Sequence, residues 1–344
     1  MCEGNPIVAS PRCYIIAEMS ANHAGSLDRA IEIIHAAKEA GADCIKIQTY
    51  TPDTMTIDCD NKYFNISKGT WQGENLYNLY KKAFTPWEWQ ARIKDEADKI
   101  GIDFLSTPFD NSAVDFLESI GVTTYKIASF ELVDIPLIKY VASKQKPIII
   151  STGMGSFDEI QEAVEAAENE GNHDLFLLKC SSVYPAIPED MNLKTINHLA
   201  DAFGYPVGLS DHTLGSVSAI AAVALGAKIV EKHFCISRRI ENPDASFSME
   251  PREFSEMVKN IRDTEKALGK VSYKVSEEEK ISIIFRRSIF SVTNISKGEA
   301  FNEKNIRIIR PGYGLKPKFM PDILGKRAVR DIEMGMPIEW GMVE

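Results

Sequence analysis

The sequence predicts an eight-stranded β/α barrel followed by a small C-terminal module, and three observations carry that expectation. Short β-rich apolar runs alternate with segments of helical period, the pattern of a parallel sheet covered by helices. Eight such units fit into residues 12–268, the size of a single barrel. No Gly-rich nucleotide fingerprint follows the first run, which ranks the doubly wound open sheet below the barrel.

In chain order, the strands are expected to end near Glu18 (CYIIAE), Thr49 (DCIKIQT), Pro108 (IDFLSTP), Ser129 (TTYKIAS), Thr152 (PIIIST), Ser182 (DLFLLKCSS), Asp211 (PVGLSD) and Phe234 (KIVEKHF). The first helix runs from Leu27 to Ala40, with Ser26 placed to cap its start and Gly41 to end it. Further helices are expected to begin near Trp87, Asn111, Asp134, Ser156, Asn192, Leu214 and Glu253. Residues 50–86 form a connection far longer than an ordinary βα loop, and such loops commonly act as lids or touch substrate. Trp71 and Tyr63 on it are candidate sugar contacts, although each can equally serve to pack the loop onto the barrel.

The catalytic barrel is assigned to residues 1–268, a polar linker to 269–284 and the module to 285–344. Within the module Val292, Ile295, Gly298 and Phe301 recur as Val329, Ile332, Gly335 and Ile338 at a constant offset of 37 residues. Two similar β elements around one compact core would produce that repeat.

Composition narrows the function classes. A chain of 344 residues with 26% charged and 44% hydrophobic residues is an ordinary globular protein. Its net charge of −10 disfavours nucleic acid and anionic membranes as partners. No basic segment followed by a long apolar run opens the sequence, so a cytoplasmic protein is expected. The cysteines (Cys2, Cys13, Cys44, Cys59, Cys180, Cys235) lack CxxC spacing and are expected as reduced thiols.

Strand periodicity selects the residues that face the barrel interior, where catalytic groups gather at the carboxyl ends of strands. In the second strand Lys46 and Gln48 share one face and Ile45 and Ile47 the other. The same parity selects Glu18, Thr107, Lys126, Ser151, Ser210 with His212, and Glu231 with His233. One lysine in an apolar run is most often a partnered structural charge. Two at matching positions point to an anion, because an unpaired buried ammonium is costly and a phosphate or carboxylate relieves that cost. Thr107, Ser129, Ser151 and Ser210 can add neutral donors to it.

His212 and His233 end the seventh and eighth strands, which are neighbours in a barrel, and are the candidate metal ligands. Two imidazoles with a nearby carboxylate leave positions open for water and substrate oxygens. A lone histidine is more often structural, and His35, His173 and His198 are taken so, while His23 in SANHAG stays open. Glu18 and Glu231 are candidates for a base or for an imidazole holder, and Glu18 is assigned the base.

At this point AEMSANHAG, IKIQTY, STPFD, YKIAS, ISTGMG, GLSDHT and EKHF stand in order at strand ends, and together they closely resemble the sialic acid synthase family. RRSIF, ISKGE and RPGYG resemble that family's antifreeze-like (SAF) domain, so the resemblance covers almost the whole chain. WQGENLYNLYKKAFTPWEW and NPDASFSMEP look more like pseudaminic acid synthases than N-acetylneuraminate synthases. The resemblance implies condensation of phosphoenolpyruvate with an open-chain N-acetylated amino sugar, a 2,4-diacetamido-trideoxy-altrose, to a nonulosonic acid and phosphate, with cleavage of the C–O bond. N-acetylneuraminate or legionaminic acid synthesis is the alternative within the family.

The resemblance further implies a divalent ion (Mn²⁺, Mg²⁺ or Co²⁺) on His212 and His233. Lys46, Thr107, Lys126, Ser129, Ser151 and Ser210 match the phosphoenolpyruvate-binding residues, and Gln48, Tyr184 and Asp244 match positions facing the sugar. Ser182 departs from the asparagine often found in neuraminate synthases, and Glu18 matches the candidate base. Arg310 in RPGYG matches an arginine that reaches the partner's site in a domain-swapped homodimer. Outside this class stand a Schiff-base aldolase using Lys46 or Lys126, and a glycan-binding protein built on the C-terminal module.

Overall fold

A computed structural model describes Ile7 and residues 12–344, which form two compact units, Met1–Gly269 and Lys270–Glu344. The first is a closed barrel of parallel strands in sequential order: β1 (Tyr14–Glu18), β2 (Cys44–Thr49), β3 (Asp103–Pro108), β4 (Tyr125–Ile127), β5 (Ile148–Ser151), β6 (Leu175–Cys180), β7 (Val207–Asp211) and β8 (Ile229–His233). These strands are buried on both faces and rich in isoleucine, valine and leucine, as strands enclosed by helices must be.

Parity separates two apolar clusters. Ile15, Ala17, Ile45, Ile47, Phe104, Tyr125, Ile127, Ile148 and Ile150 pack with the helices. The alternate residues Tyr14, Ile16, Cys44, Leu105, Ile149, Phe176, Leu178 and Ile229 form a separate interior cluster with Ile7. One or two positions further along the same strand faces, apolar residues give way to Glu18, Lys46, Thr107, Lys126, Ser151, Ser210 and Glu231. The barrel thus has an apolar lower interior and a polar upper one. At its seam Glu18 stands in register with Lys46 of β2 on one side and with His233 of β8 on the other.

Local chemistry sets the helix boundaries. The helix Leu27–Glu39 starts where the Ser26 side chain accepts from Arg29 N and stops before Gly41, whose φ of 92° is left-handed. Phe157–Asn169 begins with a reciprocal capping box between Ser156 and Glu159. Two helices start later than sequence alone indicates, at Thr195 rather than Asn192 and at Val217 rather than Leu214. Asn192 (φ 45°) and Gly215 (φ 75°) occupy left-handed turns just ahead of them, and no helix passes through such a residue.

The connection 50–86 carries two short helices, Pro52–Met55 and Leu76–Ala83, and an antiparallel bridge between Asn65 and Asn75. It is anchored at both halves. Trp71 Nε1 donates to Pro243 O at 2.9 Å and the Thr70 hydroxyl to Tyr184 O, while Thr85 Oγ1 lies 3.2 Å from His23 Nε2. Burial pushes the His23 imidazole down to about 4, so it is neutral here and serves as a lid anchor.

In the second unit β9 (Ser288–Ser291) pairs antiparallel with β10 (Ile306–Ile309). The repeat expected there has a direct structural counterpart: Ile295 and Ile332, equivalent positions, bridge each other with two hydrogen bonds of 2.8 Å. Their partners Phe301 and Ile338 fill the same small core. Among the described residues no helix is long and apolar enough to cross a membrane. The cysteines described are all free thiols; Cys2 lies outside the described residues.

Candidate active site

The polar upper interior is organised around two buried lysines in different electrostatic states. Lys46 Nζ is 2.9 Å from Glu18 Oε2 and 3.1 Å from Glu231 Oε1, and 3.4 Å from Thr107 Oγ1. Burial opposes its charge, but the two carboxylates outweigh that and raise its pKa. Burial likewise raises Glu18, to about 7, and the neighbouring Glu231 adds to this against the pull of Lys46. For Glu231 burial is overcome by Lys46 and Lys126, which hold the carboxyl below its usual range. The two carboxyls that flank the same ammonium are therefore shifted in opposite directions, Glu18 up and Glu231 down.

Lys126 has no such partner. Its Nζ donates to Ser151 Oγ at 2.6 Å and to Ile127 O at 2.9 Å, and it makes no ion pair with a described residue. Burial pulls it down to about 8. Hydroxyls crowd beside it: Ser129 Oγ accepts from Gly153 N at 3.1 Å, and a Cβ on Gly153 would collide with the hydroxyls of both Ser182 and Ser129. Glycine at 153 is what lets these serines approach the backbone together. Ser210 Oγ donates to Glu231 Oε1 at 3.5 Å.

Across the barrel mouth the rings of His212 and His233 have centroids 5.5 Å apart, and Tyr184 stacks at 4.2 Å from His212. His212 Nδ1 is 2.8 Å from Ser181 O and 3.8 Å from Cys180 Sγ, so its proton belongs on Nδ1, donated to the carbonyl, and Nε2 keeps a free lone pair. Burial and the neighbouring His212 hold His233 well below the usual imidazole range, and its Nδ1 is buried without a hydrogen-bond partner, 3.9 Å from Asp244 Oδ2. Burial opposes a charge on His212, but its contacts with Cys180 and Ser181 outweigh that and raise it; the open Nε2 of His212 beside the unspent buried nitrogen of His233 fits a divalent cation. Among the described residues no group of three His, Cys, Asp or Glu converges as a cage, so the remaining positions would fall to water and substrate, as in catalytic rather than structural sites.

Above these groups lies a cavity of about 320 Å³ whose lining includes Ser20, Gln48, Glu131, Tyr184, His233 and Asp244 from the barrel side. Gln48 Nε2 bridges Glu18 Oε1 and Ser20 Oγ, each at 3.0 Å. Asp244 Oδ2 accepts from Ala21 N at 3.1 Å. Burial raises Asp244 above its ordinary value.

The barrel thus brings together every site residue expected within it, including Tyr184 and Asp244. Arg310 belongs to the second unit, where it is exposed just beyond β10. Tyr63 is a correction: it is 77% exposed, lies against Lys62 and does not line the cavity, because it sits in the turn Asn61–Phe64 that precedes the lid hairpin. Trp71 lines the cavity and also packs on Tyr184 at 5.4 Å. Sequence reasoning missed Ser20, Cys180 and Glu131. Glu131 Oε2 is buried without a hydrogen-bond partner, and burial raises its carboxyl to about 7.

Comparison with known proteins agrees with this fold. The NeuB family model matches residues 33–273 and the SAF domain model residues 286–344. Pseudaminic acid synthase of Campylobacter jejuni (strain 81-176) is 45% identical, covering 94% of each chain. That of Helicobacter pylori is 43% identical over 96% of this chain and 97% of its own. The crystal structure of an N-acetylneuraminic acid synthetase from Leptospira borgpetersenii in complex with citrate superposes with a TM-score of 0.70 at 32% identity, over 79% of this chain and 90% of that one.

Proposed function

The chain belongs to the NeuB family, the sialic acid synthases, and we propose that it condenses phosphoenolpyruvate with the open-chain form of a 2,4-diacetamido-2,4,6-trideoxy-altrose, giving pseudaminic acid and phosphate. The observation that carries this is Lys126, a buried ammonium bonded to the Ser151 hydroxyl and without an ion pair among the described residues, set across the barrel from a histidine pair. An anion is the missing partner.

In this reading Lys46 and Lys126, with the hydroxyls of Thr107, Ser129, Ser151, Ser182 and Ser210, hold the carboxylate and phosphate of phosphoenolpyruvate. Gln48, Tyr184 and Asp244 orient the sugar. A divalent ion held by His212 and His233 would supply a Lewis acid for the aldehyde oxygen. The enol carbon attacks the aldehyde carbon, a C–C bond forms, and the aldehyde oxygen takes a proton. Water adds to the carbon that carries the phosphate, its proton passing to Glu18, whose raised carboxyl suits transfer near neutral pH. Collapse of that tetrahedral centre breaks the C–O bond to phosphate and leaves the keto acid. Family resemblance supports a domain-swapped homodimer in which Arg310 serves the partner's sugar site.

Phosphate release from phosphoenolpyruvate tests this with three sugars: the altrose-type precursor, the legionaminic-type precursor and N-acetylmannosamine. Release should require a sugar, be fastest with the altrose type and stop with EDTA. Release without sugar overturns the condensation, and activity after complete metal removal overturns the role of the histidines.

One observation favours a second reading. A lysine lowered to about 8, as Lys126 is, suits an imine-forming aldolase. Borohydride with pyruvate would then add covalent mass to Lys126; an unchanged mass rejects it.

A further inference from the structure

The cavity over the barrel has a mixed barrel side and a lid wall with an aliphatic stretch. Its barrel side presents Gln48, Glu131, His233 and Asp244 beside Phe109 and Phe130, whereas the lid side presents Met55, Ile66, Leu76, Leu79 and Ala83 together with Trp71 and Tyr80 from one continuous connection. The lid that carries these aliphatic groups is fixed by its bonds to Pro243, Tyr184 and His23 rather than hanging free. Leu79 is buried, and Met55, Ile66 and Leu76 are half-buried with their remaining surface toward the cavity they line.

A sugar whose aldehyde reacts beside His233 shares its cavity with this wall, and we place its far end there. A hydroxyl placed there would surrender its water hydrogen bonds without replacement, and a methyl would surrender none. We infer that the lid wall formed by Met55, Ile66, Leu76 and Leu79 determines sugar specificity, receiving the terminal methyl and the second acetamido methyl of a deoxygenated diacetamido sugar. Chain termini bearing several hydroxyls are thereby disfavoured. The inference rests on the condensation reading and extends it from the reacting atoms to the end of the substrate that does not react.

The test uses the full-length protein with Ile66→Thr, Leu76→Asn and Leu76→Met. For each, kcat/KM is measured with the altrose-type diacetamido sugar and with N-acetylmannosamine, alongside the KM for phosphoenolpyruvate. Polar variants should lower the ratio of the two kcat/KM values by roughly 10- to 200-fold, the span a few apolar contacts supply. Leu76→Met should keep the wild-type ratio, and the KM for phosphoenolpyruvate should stay constant in all three. Equal losses on both sugars, or an unchanged ratio in both polar variants, overturn the inference.

Calorimetric binding of the two sugars to the same proteins gives a second measure of the wall. If wild-type protein released no phosphate with any sugar, the condensation reading would fail, and the binding ratio would still decide whether the wall prefers the methyl-bearing sugar.

Discussion

The Lys126 ammonium donates to Ser151 Oγ at 2.6 Å, deep inside the barrel, and makes no ion pair with a described residue. Lys46 occupies the matching position of β2 between Glu18 and Glu231. The first lysine is free of ion-pair contact and the second is clasped by two carboxyls, which makes their substitution effects unequal. Lys126→Met should change the stability of the unliganded protein little, because the burial cost of its charge is removed while Glu231 keeps Lys46 as its ion-pair partner. Lys46→Met should cost about 3–5 kcal/mol, since two carboxylates lose their cation. Denaturant unfolding of both variants checks this, with loss of phosphoenolpyruvate binding expected in each.

The pH dependence of substrate binding follows from the same residue. Burial lowers Lys126 to about 8, so the charged form that an anion requires is lost as pH rises through that value. The KM for phosphoenolpyruvate should rise about tenfold per pH unit above about 8. Steady-state kinetics between pH 6.5 and 9.5 measure it, and a KM flat to pH 9.5 would contradict the assignment.

Glu131 gives a stability effect of known sign. Its carboxyl is raised from 4.5 to about 7 by burial, so the folded state binds its proton more tightly than the unfolded chain does. Stability is therefore undiminished below pH 4.5 and is lost as pH rises toward 7. Glu131→Gln should gain on the order of 2 kcal/mol at pH 8 relative to wild type. The gain should disappear near pH 4.5. Thermal unfolding at the two pH values reads the difference.

Metal removal should abolish turnover, and Mn²⁺ should restore it. His233→Ala should weaken metal binding by more than the roughly 10- to 100-fold typical of losing a ligand's outer partner. Titration of the metal followed by calorimetry distinguishes this from damage to the fold, which circular dichroism monitors.

Arg310→Ala should raise the sugar KM by roughly 10- to 100-fold, as expected for one lost charge-assisted hydrogen bond, while the barrel unfolds at an unchanged temperature. An unaltered sugar KM after removal of the whole module would remove Arg310 from the account.

Much of the barrel and its polar interior was legible because strand geometry has a period of two. Once Ile45 and Ile47 face the helices, Lys46 and Gln48 have nowhere to point but inward, and the same holds for Glu18, Lys126 and His233. The residues that escaped notice lie where that period ends. Ser20 has a φ of 43° in a 3₁₀ turn after β1, and Glu131 ends the turn Ser129–Glu131 after β4. Neither direction follows from alternation. The lid was harder still. Trp71 and Tyr63 carry the same kind of chemistry in the same loop, and only the fold of the lid sends one over the cavity and the other into solvent.

The most direct measurement follows the bridging oxygen of phosphoenolpyruvate. Phosphoenolpyruvate labelled with heavy oxygen between carbon and phosphorus is incubated with the altrose-type sugar, the metal and the enzyme, and both products are weighed by mass spectrometry. Cleavage of the C–O bond predicts that the label leaves in phosphate and that the nonulosonic acid takes its new oxygen from water. Label retained in the sugar acid would mean cleavage at phosphorus and would contradict the account.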